Sequence, residues 1–346
     1  MSAEGGSRAI VAALAANLGI AATKFIAWLL TSSSSMLAES IHSVADSGNQ
    51  VLLLFGGRRA RRAATPQHPF GYGRERYIYA FIVSIVLFTV GGLFALYEAY
   101  HKAGHPGPIT SWQWVPVTVL LVAIMLESFS FRTAIVESNA VRDGASWKEF
   151  VRHARAPELP VILLEDLGAL LGLVFALFGV GMTLATGNGM WDAVGTAMIG
   201  VLLVTIAVIL AIETKSLLLG EGATPEHVAA IERAITEGGD VERIIHMKTL
   251  HLGPEELLVA AKVAVRHDET AVEVAQGIDA VEERIRRAVP IARVIYLEPD
   301  IYSSLAAARG SDREAGPGGD GAAHASSGGD GAAPAGVDAA GPGEHR

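Results

Sequence analysis

Residues 32–50 read SSSSMLAESIHSVADSGNQ, and the run that follows, VLLLFGG at 51–57, is apolar. The stretch 33–57 is long enough to cross a bilayer, which takes about 20 mostly apolar residues. Yet it carries Glu39, His42 and Asp46 in its interior. An ionisable group within a span is expensive and faces a cavity or a partner. His42 and Asp46 are four residues apart, so on a helix they stack on one face. An imidazole nitrogen and a carboxylate at that spacing can grip one divalent ion.

Working outward, five more windows have the length and apolarity of spans: 8–30, 76–100, 112–137, 158–185 and 190–213. The expected fold class is a membrane all-α six-helix transmembrane bundle over residues 1–213, followed by a small α+β domain. The start has Arg8 but no small-residue cleavage site closing a short apolar core, so no cleaved signal peptide is expected. Only 18% of the 346 residues are charged and 51% are hydrophobic, where a soluble domain carries about 25% charge. Cysteine is absent, which excludes disulfides, thiolate metal sites, iron–sulfur clusters and a cysteine nucleophile. A net charge of −9 argues against a nucleic-acid binder.

Arginines and lysines fall on alternate loops. Arg58, Arg59, Arg61, Arg62, Arg74 and Arg76 lie between the second and third windows, and Arg142, Lys148, Arg152 and Arg155 between the fourth and fifth. The remaining loops hold one lysine, Lys102, and residues 31–35 read as a short external turn. Basic loops stay cytoplasmic. With six spans, both termini are then expected in the cytoplasm, on a multi-pass protein of the cell membrane.

Residues 214–302 read as that cytoplasmic domain, in the order α-β-β-α-β. Thr224, Pro225 and Glu226 make a helix start, with an N-cap, a proline at N1 and an acid in the first turn. Strands are predicted at 241–252, 257–265 and 292–297, and an amphipathic helix at 270–289 that stops at Pro290. About 85 residues make a modest core, which favours a dimer. From residue 303 the chain is a Gly/Ala/Asp-rich tail that repeats GGDGAA, and this composition predicts disorder.

The fifth window contains VILLEDLGALLG at 161–172, with Glu165 and Asp166 side by side. Counted from the cytoplasmic ends of their windows, Asp166 and Asp46 differ in depth by about 4–5 Å. Asp166 is therefore placed to face Asp46 across a bundle. The structural alternatives are a histidine donating to a backbone carbonyl and an aspartate capping a broken helix or pairing with Lys24. The shared depth of His42, Asp46 and Asp166 favours a metal. Glu39 and Glu165 sit off the shared face.

The run at 32–50 resembles the second transmembrane helix of the cation diffusion facilitators. The loop HPFGYGRERY at 68–77 and the segment LLEDLGALLG at 163–172 extend the resemblance over residues 8–302. It implies six membrane helices, a cytoplasmic α-β-β-α-β domain and a homodimer that exchanges a divalent metal, often Zn²⁺, for protons. It also implies that His42, Asp46 and Asp166 form the transport site. Where many zinc-transporting members carry a ligand four residues before the fifth-span aspartate, this chain has Ile162, leaving Glu165 or water as the fourth. His68 stands in a second site of some members, beside Thr65 and Tyr72. In the cytoplasmic domain Ala261 and Tyr296 hold two family metal positions, with Glu298 as the surviving ligand.

The function expected is divalent cation efflux, Zn²⁺/H⁺ antiport first, with Mn²⁺, Fe²⁺ or Co²⁺ carried by the same scheme as the alternative. The ion is cargo, and no resident cofactor is expected. One rival is a proton-coupled transporter of an organic solute with these residues as a relay. A metal sensor and an intramembrane enzyme are others, though H-E-x-x-H, G-x-S-x-G and P-loop motifs are all absent.

Overall fold

The computed structural model describes residues 3–302 apart from Asp143 and Ala145, with side chains from residue 17 onward except His153. The tail expected at 303–346 lies outside the described residues. Helices come first: α1 (Ala3–Thr31), α2 (Ser34–Ala60), α3 (Glu75–Val86), α4 (Phe94–Gly104), α5 (Trp114–Val141), α6 (Trp147–His153), α7 (Glu158–Thr186) and α8 (Met190–Leu219). The window at 76–100 is one continuous rod, but a π-helical turn at Leu87–Leu93 joins α3 to α4. The short α6 lies in the basic loop between the fourth and fifth apolar windows.

Among the described residues, four helical rods are long and apolar enough to cross a membrane: Glu75–Gly104, Trp114–Val141, Glu158–Thr186 and Met190–Leu219. α2 is nearly as long as these, at 27 residues, but diluted by Glu39, His42, Asp46 and its serines. The rods bury a common apolar core that includes Met36, Leu87, Leu120, Leu173, Ile199 and Leu203. Lipid gives no hydrophobic drive between helices, so small residues that allow close backbone approach matter most. Gly179 of α7 and Gly195 of α8 meet this way: a Cβ on Gly179 would sit 3.1 Å from the Gly195 Cα.

The expected external turn at 31–35 is shorter and more ordered than its serine content implies. Only Ser32 and Ser33 leave the helix, and Ser33 caps α2 by accepting from the Met36 backbone N–H at 3.4 Å. Ser34 and Ser35 already belong to α2 and are fully buried against Asp192 of α8. Serine side chains bond to backbone at helix starts as readily as in turns, so composition alone does not separate the two.

Beyond α8 follow α9 (Pro225–Thr236), β1 (Arg243–Gly253), β2 (Glu256–Ala264), α10 (Ala271–Ala288) and β3 (Ala292–Asp300). The sheet order is β1-β2-β3, with β1 and β2 antiparallel and β2 and β3 parallel. A parallel pair needs a crossover, and α10 supplies it. Thr224 caps α9 through the His227 N–H, and Thr270 forms a capping box with Glu273 on α10. Alternate residues of β2 are buried, Leu257, Val259, Ala261 and Val263, and they pack with Ile231, Ile235, Val281 and Ile285 of the two helices.

This domain touches the helical part at the loop before α3. A Cβ on Gly73 would lie 2.7 Å from the Leu252 carbonyl oxygen and 3.1 Å from the Gly253 Cα. Only glycine permits that approach. Three ion pairs flank it, Arg76 with Glu158 and with Glu255, and Arg155 with Glu221. The loop before α3 is thus a seat for the β1–β2 turn.

Candidate metal site

α2 brings His42 and Asp46 onto one face, as the i,i+4 spacing requires. Nδ1 of His42 lies 3.4 Å from Oδ1 of Asp46. The imidazole is only 1% exposed, and neither of its nitrogens has a hydrogen-bond partner among the described residues; nor has Asp46 Oδ1. The π-helical turn backs this pair. A Cβ on Gly91 would stand 4.0 Å from His42 Nδ1, and π-helical turns recur at functional sites.

Asp46 also forms part of the wall of a cavity of about 680 Å³ between α1, α2, α5 and α7. Asp166 lines the same cavity from α7, and its Oδ2 accepts from Ser130 Oγ of α5 at 3.0 Å. Glu127 of α5 and the neutral polar groups Asn17, Thr23, Ser43, Gln50 and Thr118 complete its polar lining. Among the described residues, no lysine or arginine lines it. Among the described residues, no three His, Cys, Asp or Glu side chains are grouped closely enough to hold one metal ion. His42 and Asp46 are adjacent, Asp46 and Asp166 share a cavity, and the three stand open to one another rather than closed around a point.

The remaining sequence candidates are elsewhere. Glu165, next to Asp166, turns toward α2 and accepts from Asn49 Nδ2 at 2.7 Å. Glu39 is fully buried and receives the Lys24 ammonium of α1 at 3.0 Å. Its second oxygen packs against Gly172, where a Cβ would lie 2.6 Å from Oε1. Lys24 donates as well to Ser43 Oγ at 2.8 Å, so it pairs with Glu39 and not with the aspartates. His68 is exposed in a narrow turn bridged to Thr65, with its ring 4.6 Å from that of Tyr72. Glu298 sits on β3, where Lys262 of β2 donates to it at 3.0 Å and to Asp300 at 2.9 Å.

In the sequence Glu127 reads as a packing or pathway polar group, and the apolar residues around it show no facing preference that would choose between the two. Asp192 of α8 gave no signal at all, since an acid in the first turn of a helix is ordinary.

Residues 10–219 match the cation efflux transmembrane domain. That is more than half the chain, and the protein belongs to the cation diffusion facilitator family. It is 33% identical over 242 residues to the human mitochondrial proton-coupled zinc antiporter SLC30A9, which covers 69% of this chain and 42% of that protein. Over 277 residues it is 25% identical to the manganese efflux system protein MneP of Bacillus subtilis, covering 78% of this chain and 86% of that one. Over 270 residues it is 26% identical to the zinc transporter ZitB of Pectobacterium atrosepticum, covering 78% and 79%. The chain thus spans less than half the length of its human relative. It is a membrane protein with several apolar helices, in a family whose named members transport metal cations.

Proposed function

We propose that the protein exports a divalent metal ion from the cytoplasm in exchange for protons, with Zn²⁺ as the first cargo, through a site formed by His42, Asp46 and Asp166. In this reading residues 1–213 make six spans and residues 214–302 a cytoplasmic domain. Both termini are cytoplasmic, and two copies form a homodimer in the cell membrane. The observation that carries the proposal is the unpartnered His42 imidazole, buried 3.4 Å from an aspartate on the wall of a cavity that Asp166 also lines. Buried polar atoms without partners are rare and call for an absent ligand.

One neutral imidazole and two carboxylates cancel the charge of a divalent ion, which makes its burial in the bilayer tolerable. Ligands must be deprotonated to bind metal, so binding expels protons and protons expel metal. The open arrangement corresponds to a site that has yet to close around its cargo. Rocking of one helix group about a fixed midplane site would alternate its access, as in other secondary transporters. Glu165 is held by Asn49, and His68 and Glu298 are engaged with Tyr72 and Lys262, so these three are assigned no part in transport.

Mn²⁺ is the second reading, favoured by the likeness to a manganese efflux protein along most of both chains. A proton relay for an organic solute needs no metal. Calorimetric titration of the purified full chain with Zn²⁺ and Mn²⁺ separates the two. Heat of binding that disappears in His42→Ala supports the metal site, and a wild-type protein that binds neither ion overturns it.

A further inference from the structure

The cavity contains a third carboxylate that the family site does not account for. Glu127 lies halfway along α5, deep in a span where an ionisable side chain needs a functional reason. It lines the cavity with Asp46 and Asp166 and makes no hydrogen bond or ion pair to another described residue. The nearby base is already engaged: Lys24 is bonded to Glu39 and Ser43. Two of the buried acids are engaged elsewhere, Glu39 with Lys24 and Glu165 with Asn49. His42 is an independent pointer to a cation, being buried, unpartnered on both nitrogens and directed at Asp46 in the cavity wall.

We propose that Glu127 contacts the transported divalent cation and takes the place of the fourth ligand that Ile162 cannot provide, which makes it a specificity-determining residue. The inference rests on the reading of this cavity as the transport site. Size supports it. Six waters at about 30 Å³ each occupy roughly 180 Å³, so a hydrated ion fits within about 680 Å³. The three carboxylates then surround a hydrated ion before any of them ligates it, in keeping with their open spacing. Chemistry gives the direction of selectivity. Carboxylate oxygens and water suit Mn²⁺, whereas imidazole suits Zn²⁺. Exchanging a histidine on α7 for a glutamate on α5 therefore tilts the site toward oxygen-preferring ions.

The test is uptake of Zn²⁺ and Mn²⁺, singly and in competition, by proteoliposomes holding the full chain. In Glu127→Gln the half-saturating Mn²⁺ concentration should rise about tenfold or more, a size usual when a group supporting a metal site is lost. Zn²⁺ should be affected less, so the preference moves toward Zn²⁺. Half-saturation and preference equal to wild type in Glu127→Gln overturn the inference. Asp46→Asn and Asp166→Asn run alongside. If they lose uptake while Glu127→Gln does not, only the role of Glu127 falls; if they too transport as wild type, the site reading falls with it. Should Glu127→Gln fail size-exclusion chromatography, Glu127→Asp decides, since a shortened contact must change the Zn²⁺/Mn²⁺ preference and an unchanged one contradicts contact.

Discussion

The backbone N–H of Ser34 donates to Oδ2 of Asp192 at 2.7 Å, tying the first turn of α2 to the first turn of α8 across 158 positions of sequence. Ser33 Oγ donates to the other carboxylate oxygen at 2.9 Å, Ser34 Oγ to Oδ2 at 3.1 Å, and Lys102 lies 4.0 Å away. An acid at a helix start is favourable through both the open N–H groups and the helix dipole. Here the acid comes from a different helix. Asp192→Ala removes the cap and leaves several buried donors unpaired, at a cost of about 3 kcal/mol. Thermal unfolding in detergent should show a clear drop, smaller for Asp192→Asn. An Asp192→Ala protein that melts with wild type would show that the cap contributes nothing.

The buried Lys24–Glu39 pair is predicted to behave asymmetrically. Breaking one side leaves an uncompensated charge, costing roughly 3–5 kcal/mol, whereas replacing both by apolar groups is often neutral. Lys24→Met should therefore melt well below wild type, and Lys24→Met/Glu39→Leu should recover most of the loss. Additive losses in the double variant would contradict the pairing.

His251 of β1 gives the sheet domain a pH dependence. It is buried, with Nδ1 3.3 Å from the Gly253 carbonyl oxygen, and burial holds its pKa below the usual histidine range. A base depressed in the fold takes up its proton more readily when unfolded. Its contribution is therefore intact above about pH 6.5 and is lost as pH falls below that value. His251→Gln keeps an N–H donor without a titration, so its melting temperature should fall less than that of wild type between pH 7 and pH 5. Equal slopes would contradict the assignment.

Ile162 lies one turn before Asp166 and packs against the apolar core. Ile162→His adds an imidazole at the cavity-side helix and should tighten Zn²⁺ relative to Mn²⁺ in competition uptake. An unchanged ratio would mean that this position does not touch the ion.

Much of this architecture was legible because it follows from local chemistry. The apolar runs mark the rods, and Thr224 and Thr270 mark the two domain helices by capping. Alternation marks β2, and the observed strand starts lie within about two residues of those expected. The i,i+4 rule brought His42 to Asp46, and matched depth brought Asp166 to the same cavity. What escaped depends on which face a residue presents to a different helix. In an apolar span every face looks alike, so nothing local announced that Glu39 meets Lys24, that Glu165 turns to Asn49, or that Glu127 turns inward. The π-helical turn at Leu87–Leu93 is equally silent, because its residues are ordinary helix formers apart from two glycines.

Joint carriage of a metal ion by Asp46 and Asp166 against protons is the step on which the proposed transport rests. Its most direct test is proton movement into or out of proteoliposomes, followed with a pH-sensitive dye, on a jump in external Zn²⁺. Wild type should show a metal-driven proton flux, and Asp46→Ala and Asp166→Ala, each eluting as folded protein, should show none. Wild-type flux in both variants would contradict the account.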